Sequence, residues 1–592
     1  MSSRALYQRA AEDLRPNDGQ WQAYEATGHC VVLAGPGSGK TKTLTIKLAR
    51  ILSEDVENPR GVACITYNNE CARELENRLA GLGVEPGKRV FIGTVHSFSL
   101  TQILLPYGPL LGVGLPEEFG IATQQQQRIA LENAFNEVIG GPGNTQNARF
   151  LMDLYRRSNL DRDQPAWRER NEQQARLVEA YERHLRAMGL IDFDDMPLLA
   201  LRALKQNPWL RTALVAKFPV LAVDEYQDLG RALHQMVLGL CFRSGMRLLA
   251  VGDADQSIYG FIGAYPELLQ RLSERDDVET VTLGLNYRCG SQIVQASEYA
   301  LGEERGYQVP ADADNGTVYF HPSTGGYSTH ANSLFSEILP GVRARNPGLE
   351  LGNIGILYPA AFLGDEVAEA AQEHGYGVLR TDANALYPRS SRLMRWLEAC
   401  ASWCCEGWKR GDPRWSRIVS EGIRLFPELL GDREKGRQFG RSLLELMWHR
   451  RDGQYDLHNW LLEFKQGLLA PLMASERTFV EEQTILDNFI SRLDADGDIG
   501  QMRLGQFSGE GAGNDRINLS TLHSAKGREF DVTILFGMDN GRIPRANSSQ
   551  ADIIAARRLF YVGFTRARTE LHLIYSSHNP SPFVTEVGER IG

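Results

Sequence analysis

The chain has 592 residues, enough at about 150 residues per domain for roughly three to five domains. Hydrophobic residues make up 42% and charged residues 23%, which excludes disordered, collagen-like and small disulfide-stapled classes. The 64 basic and 74 acidic residues leave a net charge of −10, so the chain carries no overall basic footprint for nucleic acid, although a local groove is compatible with that balance. Residues 1–16 are charged and lack an apolar stretch of signal-peptide length, and no run of about 18 apolar residues marks a membrane span. The eight cysteines are scattered, the pattern of a reduced, cytoplasmic protein. Cys400, Cys404 and Cys405 lack a fourth ligand at metal-site spacing and read as thiols in a core.

In chain order, short apolar runs that end in turn chemistry predict strands at His29–Ala34, Val220–Val223 and Leu248–Val251. Two more follow late, at Ile354–Tyr358 and Val532–Phe536, so two α/β cores are expected. Residues 101–200 interrupt the first with helical spacing, broken by a loop at Gly140–Asn147. Residues 386–515 interrupt the second and hold six of the nine tryptophans, Trp396, Trp403, Trp408, Trp415, Trp448 and Trp460. Leu393, Leu397, Cys400 and Cys404 share one helix face there, so these aromatics are expected to pack a helical subdomain. Ser508–Asn514 reads as a flexible return to the second core.

After the first strand comes Ala34-Gly35-Pro36-Gly37-Ser38-Gly39-Lys40-Thr41, a P-loop pattern with Ala at its first position. Glycines let successive N–H groups converge on phosphate oxygens, and the helix that follows adds positive charge at its N-terminus. Lys40 is expected to reach the β- and γ-phosphates of ATP, and the Thr41 hydroxyl to hold Mg²⁺. At the end of the second predicted strand stand Asp224 and Glu225. A carboxylate there serves the metal and its neighbour polarises the attacking water, which assigns Asp224 to Mg²⁺ and Glu225 to water.

The remaining motifs make the chain resemble the UvrD/Rep/PcrA group of superfamily 1A DNA helicases. Asn17-Asp18-Gly19-Gln20 is similar to the family's adenine-reading Q motif, with Gln20 on the base edge. Thr66-Tyr67-Asn68-Asn69 and Gly93-Thr94-Val95-His96-Ser97-Phe98 resemble its strand-contacting motifs Ia and Ib, and Ile191-Asp192-Phe193-Asp194-Asp195 the segment before its second core strand. Val251–Phe261 resembles motif III, which implies γ-phosphate sensing by Gln256 and base contacts by Tyr259 and Phe261. Leu285-Asn286-Tyr287-Arg288 resembles motif IV, implying Tyr287 on adenine and Arg288 as an arginine finger. Thr521–Phe530 resembles motif V, implying Gly527 and Glu529 near the nucleotide and Thr521 and His523 near DNA; Tyr561–Ala567 resembles motif VI, with Arg566 as the second finger.

The resemblance implies an α/β fold of two RecA-like P-loop NTPase cores, each interrupted by a mainly helical insertion. The first core is expected at 1–100 and 201–290 with its insertion at 101–200. The second is expected at 291–385 and 516–592 with its insertion at 386–515. The nucleotide contacts implied are Gln20, Gly35, Gly37, Ser38, Gly39, Lys40, Thr41, Lys42, Tyr287, Gly527 and Glu529. Tyr67, Asn68, Thr94, His96, Phe98, Tyr259, Phe261, Thr521 and His523 are implied on single-stranded DNA. The chain departs from the family at Phe261-Ile262, where Trp-Arg is usual, at Asn69-Glu70, where Asn-Lys is usual, and at Lys42, often an Arg. The implied activity is ATP hydrolysis driving 3′→5′ movement on single-stranded DNA and unwinding of tailed duplexes. The missing cations leave a second reading open, a DNA-stimulated motor or sensor that controls a separate nuclease in repair or antiphage defence.

Overall fold

A computed structural model describes residues 3–591 apart from 67–68, 85–88, 117, 141–144, 163, 261–263, 383, 390, 412, 427–428, 430–431, 475–478, 495–501 and 509–515. The chain divides into two units, Met1–Thr317 with Asn547–Thr565 and Glu586–Gly592, and Val318–Ala546 with Arg566–Thr585. No helix among the described residues is long and apolar enough to cross a membrane.

The first unit is built on strands β1 (Cys30–Ala34), β2 (Val62–Thr66), β3 (Val90–Thr94), β6 (Val220–Val223), β7 (Arg247–Gly252) and β8 (Glu279–Leu283). They form one sheet in the order β3-β2-β6-β7-β1-β8, and every neighbouring pair is parallel. Residues of β1, β2, β6 and β7 alternate between two apolar clusters, one on each face, which is why these strands read as continuous apolar runs. The parallel arrangement sends the carboxyl ends of β1, β2, β3, β6 and β7 to one edge. Loops there bear the P-loop, the acidic pair and the motif III residues, as expected for a ligand crevice in an open α/β sheet.

The helical insertion is smaller than its predicted bounds. Its own core, around Ala130, Phe135, Met152, Trp167, Val178 and Tyr181, lies between the short paired strands β4 (Gly120–Ile121) and β5 (Leu190–Ile191). Ile103, Leu104, Leu111, Leu199 and Ala200 instead pack into the sheet's cluster, at both ends of the 101–200 span. Thr123 opens the first insertion helix with a capping box to Gln126, which places the Gln124–Gln127 run in a first helical turn. The expected loop at 140–147 lies at 141–144 outside the described residues, and a helix begins at Thr145.

In the second unit, β9 (Thr317–Ser323), β10 (Ile354–Tyr358), β11 (Val378–Arg380), β12 (Ile517–Thr521), β13 (Phe530–Phe536) and β14 (Ala567–Ser576) form a sheet in the order β11-β12-β10-β13-β14-β9. It is parallel from β11 through β14. The insertion between β11 and β12 is helical, and Trp396, Trp403, Trp460, Cys400 and Cys404 are buried in its core. Trp408 and Trp448 are not; they lie exposed with the Arg451 guanidinium against both rings. The expected connection at 508–514 lies from residue 509 onward outside the described residues. The two units divide at Thr317, against a core boundary expected at residue 290. The helix Gln550–Phe564, expected in the second core, belongs to the first unit, where it packs on helix Ser291–Leu301.

Candidate nucleotide-binding and catalytic site

The P-loop leaves β1 at Ala34 and enters the helix Lys40–Arg50. Gly37 (φ +66°) and Gly39 (φ +82°) adopt left-handed backbone, which L side chains rarely do, and so let the loop turn from β1 into the helix. Ser38 Oγ donates to Gly35 O at 2.8 Å, and Gly35 N donates to Leu283 O on β8. Gln20 is buried, and its Nε2 donates to Ser38 O at 2.8 Å, so the predicted adenine reader already rests on the loop. Its helix is capped by Asn17, whose Oδ1 accepts from Gln20 N and whose Nδ2 donates to Tyr287 Oη at 3.0 Å. Tyr287 is half exposed, and its backbone N donates to Gly37 O. Gln20, Tyr287 and the loop are thereby gathered into one constellation. Thr41 and Lys42 lie in the first helical turn.

The carboxylates sit at the ends of β6 and β7. Burial, then the charge of Glu225, pushes Asp224 up to about 7 against the pull of Lys40. Burial likewise raises Asp253 to about 6, with Lys40 opposing. Lys40 Nζ lies 3.8 Å from Asp253 Oδ2 and donates to Ala34 O at 3.3 Å. Gln227 ties the two strand ends together: its Nε2 donates to Glu225 Oε2 at 2.6 Å and its Oε1 accepts from Asp253 N at 2.9 Å. Gln256 Nε2 donates to Asp253 Oδ2 at 2.8 Å. Glu225 itself has φ +51°, ψ +46°, left-handed backbone in a residue with a side chain, a strained conformation characteristic of functional positions. A buried carboxylate at Asp224 and a half-buried hydroxyl at Thr41 are hard oxygen donors of the kind a divalent cation takes, so the two fit Mg²⁺ by donor chemistry.

Arg288 Nη1 donates to Thr565 O at 3.2 Å within the first unit. In the second unit, Arg566 is buried and its Nη1 donates to Arg528 O at 3.2 Å. Glu529 is exposed and pairs with Arg568 at 3.0 Å, and Gly527 is exposed.

The expected DNA contacts divide. Thr94 Oγ1 accepts from Ser97 N at 3.2 Å and caps the helix Val95–Phe98. His96 is held below its ordinary value by burial, and its ring meets Phe193 edge-on at 5.9 Å. Tyr259 is half-buried. In the second unit Thr521 Oγ1 accepts from Ser524 N, and burial followed by Arg545 pushes His523 down to about 4, which keeps its ring neutral. Tyr67, Asn68 and Phe261 lie outside the described residues. Phe98 is a correction: it is 1% exposed, 5.4 Å from Phe91 within the sheet's apolar cluster, and has no face to offer a base.

The structure adds residues not foreseen. Phe193, 48% exposed beside His96, is a free aromatic face. Arg156 is wholly buried and bonds Asp192 (2.8 and 3.2 Å), Asp195 (2.9 Å) and Glu182 (3.1 Å), while Arg157 makes a fork to Asp194 with both bonds at 2.9 Å. These arginines hold the 191–195 segment, and so Phe193, against the insertion. The one signal in the sequence was the Asp-Phe-Asp-Asp run, which demands partners if it is buried.

A P-loop, a strand-end carboxylate pair and a second parallel α/β sheet define the class as a P-loop NTPase with two α/β cores. Residues 16–277 match the UvrD/REP helicase N-terminal domain and residues 476–578 the UvrD-like helicase C-terminal domain. The ATP-dependent DNA helicase Rep of Escherichia coli K12 is 26% identical, over 94% of this chain and 90% of its own. The ATP-dependent DNA helicases PcrA of Leuconostoc citreum (26%, over 97% and 85%) and Staphylococcus aureus MRSA252 (24%, over 97% and 86%) are similar over the same extent. The chain belongs to the UvrD/Rep family of superfamily 1A helicases, and is an ATP-hydrolysing enzyme of that class.

Proposed function

We propose that this protein moves 3′→5′ along single-stranded DNA at the expense of ATP and separates the duplex ahead of it. The observation that carries the reading is the network in which Lys40 Nζ lies 3.8 Å from Asp253, Gln256 bonds Asp253 and Gln227 bonds both Asp253 N and Glu225, so that the P-loop lysine stands beside the strand-end acids. Lys40 exchanges its contacts with Ala34 and Asp253 for the β- and γ-phosphates. Glu225, fixed by Gln227, orients the attacking water and takes its proton. Thr41 and Asp224 would hold Mg²⁺, which when bound would supply charge neutralisation on the phosphates. Arg288 acts as a finger on the transferring phosphoryl group, the resemblance to the family gives Arg566 the same role, and Gln256 reports the group's presence to Tyr259 a few residues on. Single-strand contacts fall to His96 and Tyr259 in the first unit and, by the same resemblance, to Thr521 and His523 in the second, with aromatic stacking worth about 1–3 kcal/mol per base.

The test is strand separation on duplexes with a 3′ or a 5′ single-stranded tail. Unwinding of the 3′-tailed substrate alone is expected, and preference for the 5′ tail refutes the polarity. ATP hydrolysis with DNA but no separation until a nuclease is added would favour the motor-subunit reading. Lys40→Ala and Glu225→Gln should each lower DNA-stimulated turnover by about a hundredfold or more.

A further inference from the structure

The segment Glu303–Gln308 belongs to none of the motifs, yet it touches two of them. Arg305 Nε and Nη2 donate to Asp255 Oδ2 and Oδ1 at 2.7 and 2.8 Å, a two-bonded fork beside Gln256. Two residues on, the Tyr307 ring lies against the P-loop. A methyl group built on Gly35 would stand 2.4 Å from Tyr307 Cε1 and 2.8 Å from Cζ, so only glycine admits the ring there. Gly306, at φ +68°, makes the turn between the two. The backbone is pinned: Arg305 N and Tyr307 N both donate to Glu298 Oε1, at 3.2 and 2.9 Å. Gln308 N donates to Gly284 O and its carbonyl accepts from Asn286 N at 2.7 Å, one residue before Tyr287. Burial, then the Asp253 and Asp255 carboxylates, raise the Tyr307 hydroxyl above its ordinary value.

We propose that Arg305 and Tyr307 are positioning residues, a strap that transmits nucleotide occupancy of the P-loop to the motif III segment and so to the grip of Tyr259 on DNA. The proposal rests on the helicase reading above. A P-loop that rearranges around a triphosphate moves Gly35 against a ring already in contact. The ring and the Arg305 fork share a pinned backbone of three residues, and a bidentate guanidinium–carboxylate pair transmits direction as well as force. Asp255 is adjacent to Gln256 and four residues from Tyr259.

The experiment measures single-strand affinity of the full-length protein by anisotropy of a labelled oligothymidylate, with and without a non-hydrolysable ATP analogue. The ratio of the two affinities is the coupling between the sites. Tyr307→Ala and Arg305→Ala are each expected to reduce that ratio by about fivefold or more toward one, within the range of site-to-site couplings. Tyr307→Phe keeps the ring and should keep the ratio, whereas Arg305→Lys loses the fork and should lose it. An unchanged ratio in both alanine variants overturns the proposal, as does a Tyr307→Phe defect equal to that of alanine. If Tyr307→Ala melts below the assay temperature, Arg305→Ala decides, because that side chain is partly exposed and its removal opens no core cavity. A wild-type ratio of one with normal DNA-stimulated hydrolysis refutes the strap and spares the helicase reading. Absence of DNA-stimulated hydrolysis in the wild type refutes the reading itself.

Discussion

Replacing Arg156 by Met tests whether the buried ion cluster holds the first insertion on its core. The guanidinium is fully buried and meets three carboxylates with hydrogen bonds of 2.8–3.2 Å. Once it is gone, Glu182 still has Arg162, and Asp195 still has Arg186 at 2.8 Å. Among the described residues Asp192 keeps the Tyr181 hydroxyl at 2.9 Å and the Asp195 N–H at 2.9 Å but no cation, so it becomes the orphan charge. Breaking a buried pair from one side costs about 3–5 kcal/mol, and that is the loss expected at pH 8. The pH dependence identifies the cause. Burial alone would raise Asp192, and Arg156 more than reverses this, holding it at about 2. The wild-type contribution is therefore complete above the unfolded value near 4 and disappears as pH falls toward 2. Without the guanidinium, burial drives Asp192 upward, and the folded variant takes up a proton as the solution is acidified. Its deficit against wild type should then be smaller at pH 5 than at pH 8. Hydrogen exchange of helix Glu172–Ala187 at the two pH values reads this locally, without assuming that the whole chain unfolds in one step. Wild-type protection in Arg156→Met at pH 8, or a deficit that grows on acidification, refutes the reasoning.

Phe98→Ala should cost about 3–5 kcal/mol of stability through a core cavity, measured by urea unfolding. Phe193→Ala should leave stability almost intact while weakening oligothymidylate binding by about 1–3 kcal/mol; the opposite pattern would return Phe98 to the DNA path. Lys47, whose ammonium donates to the carbonyls of Tyr24 and Ala26, is lowered to about 8 by burial and then by Arg50. The folded state therefore holds fewer protons than the unfolded chain between pH 8 and 10.5, and stability gains with pH across that window. Lys47→Met should flatten this gain in thermal melts at pH 8, 9 and 10, and an identical slope in the variant excludes Lys47 as its source.

The strands legible in the sequence were those whose burial on two faces leaves an unbroken apolar run, such as Val220–Val223 and Ile354–Tyr358. β8, with only Val281 and Leu283 buried, and β14, with Glu570 and His572 among its apolar residues, carry polar residues that blur the pattern. The P-loop and acid pair were legible because their chemistry is local: a few contiguous residues form the whole device. Phe98 misled because a motif position states which residue is present and not which way it faces; here the ring turns inward to Phe91. The Arg156 cluster, the Gln227 link and the Tyr307–Gly35 contact were invisible for a different reason. Each joins residues separated by 26 to 272 positions, or depends on side-chain direction, and one sequence carries no record of such pairings.

The backbone of Glu225 has an evolutionary consequence. A left-handed conformation at a residue with a β-carbon stores about 1 kcal/mol, which Gly or Asn at that position would release. Either replacement removes the carboxylate opposite the P-loop. Random drift toward a more stable protein is therefore closed at this one codon for as long as hydrolysis is selected, and a lineage released from that selection should relax here early. The identity of residue 225 in diverged copies of this chain is thus a marker of whether the engine still runs.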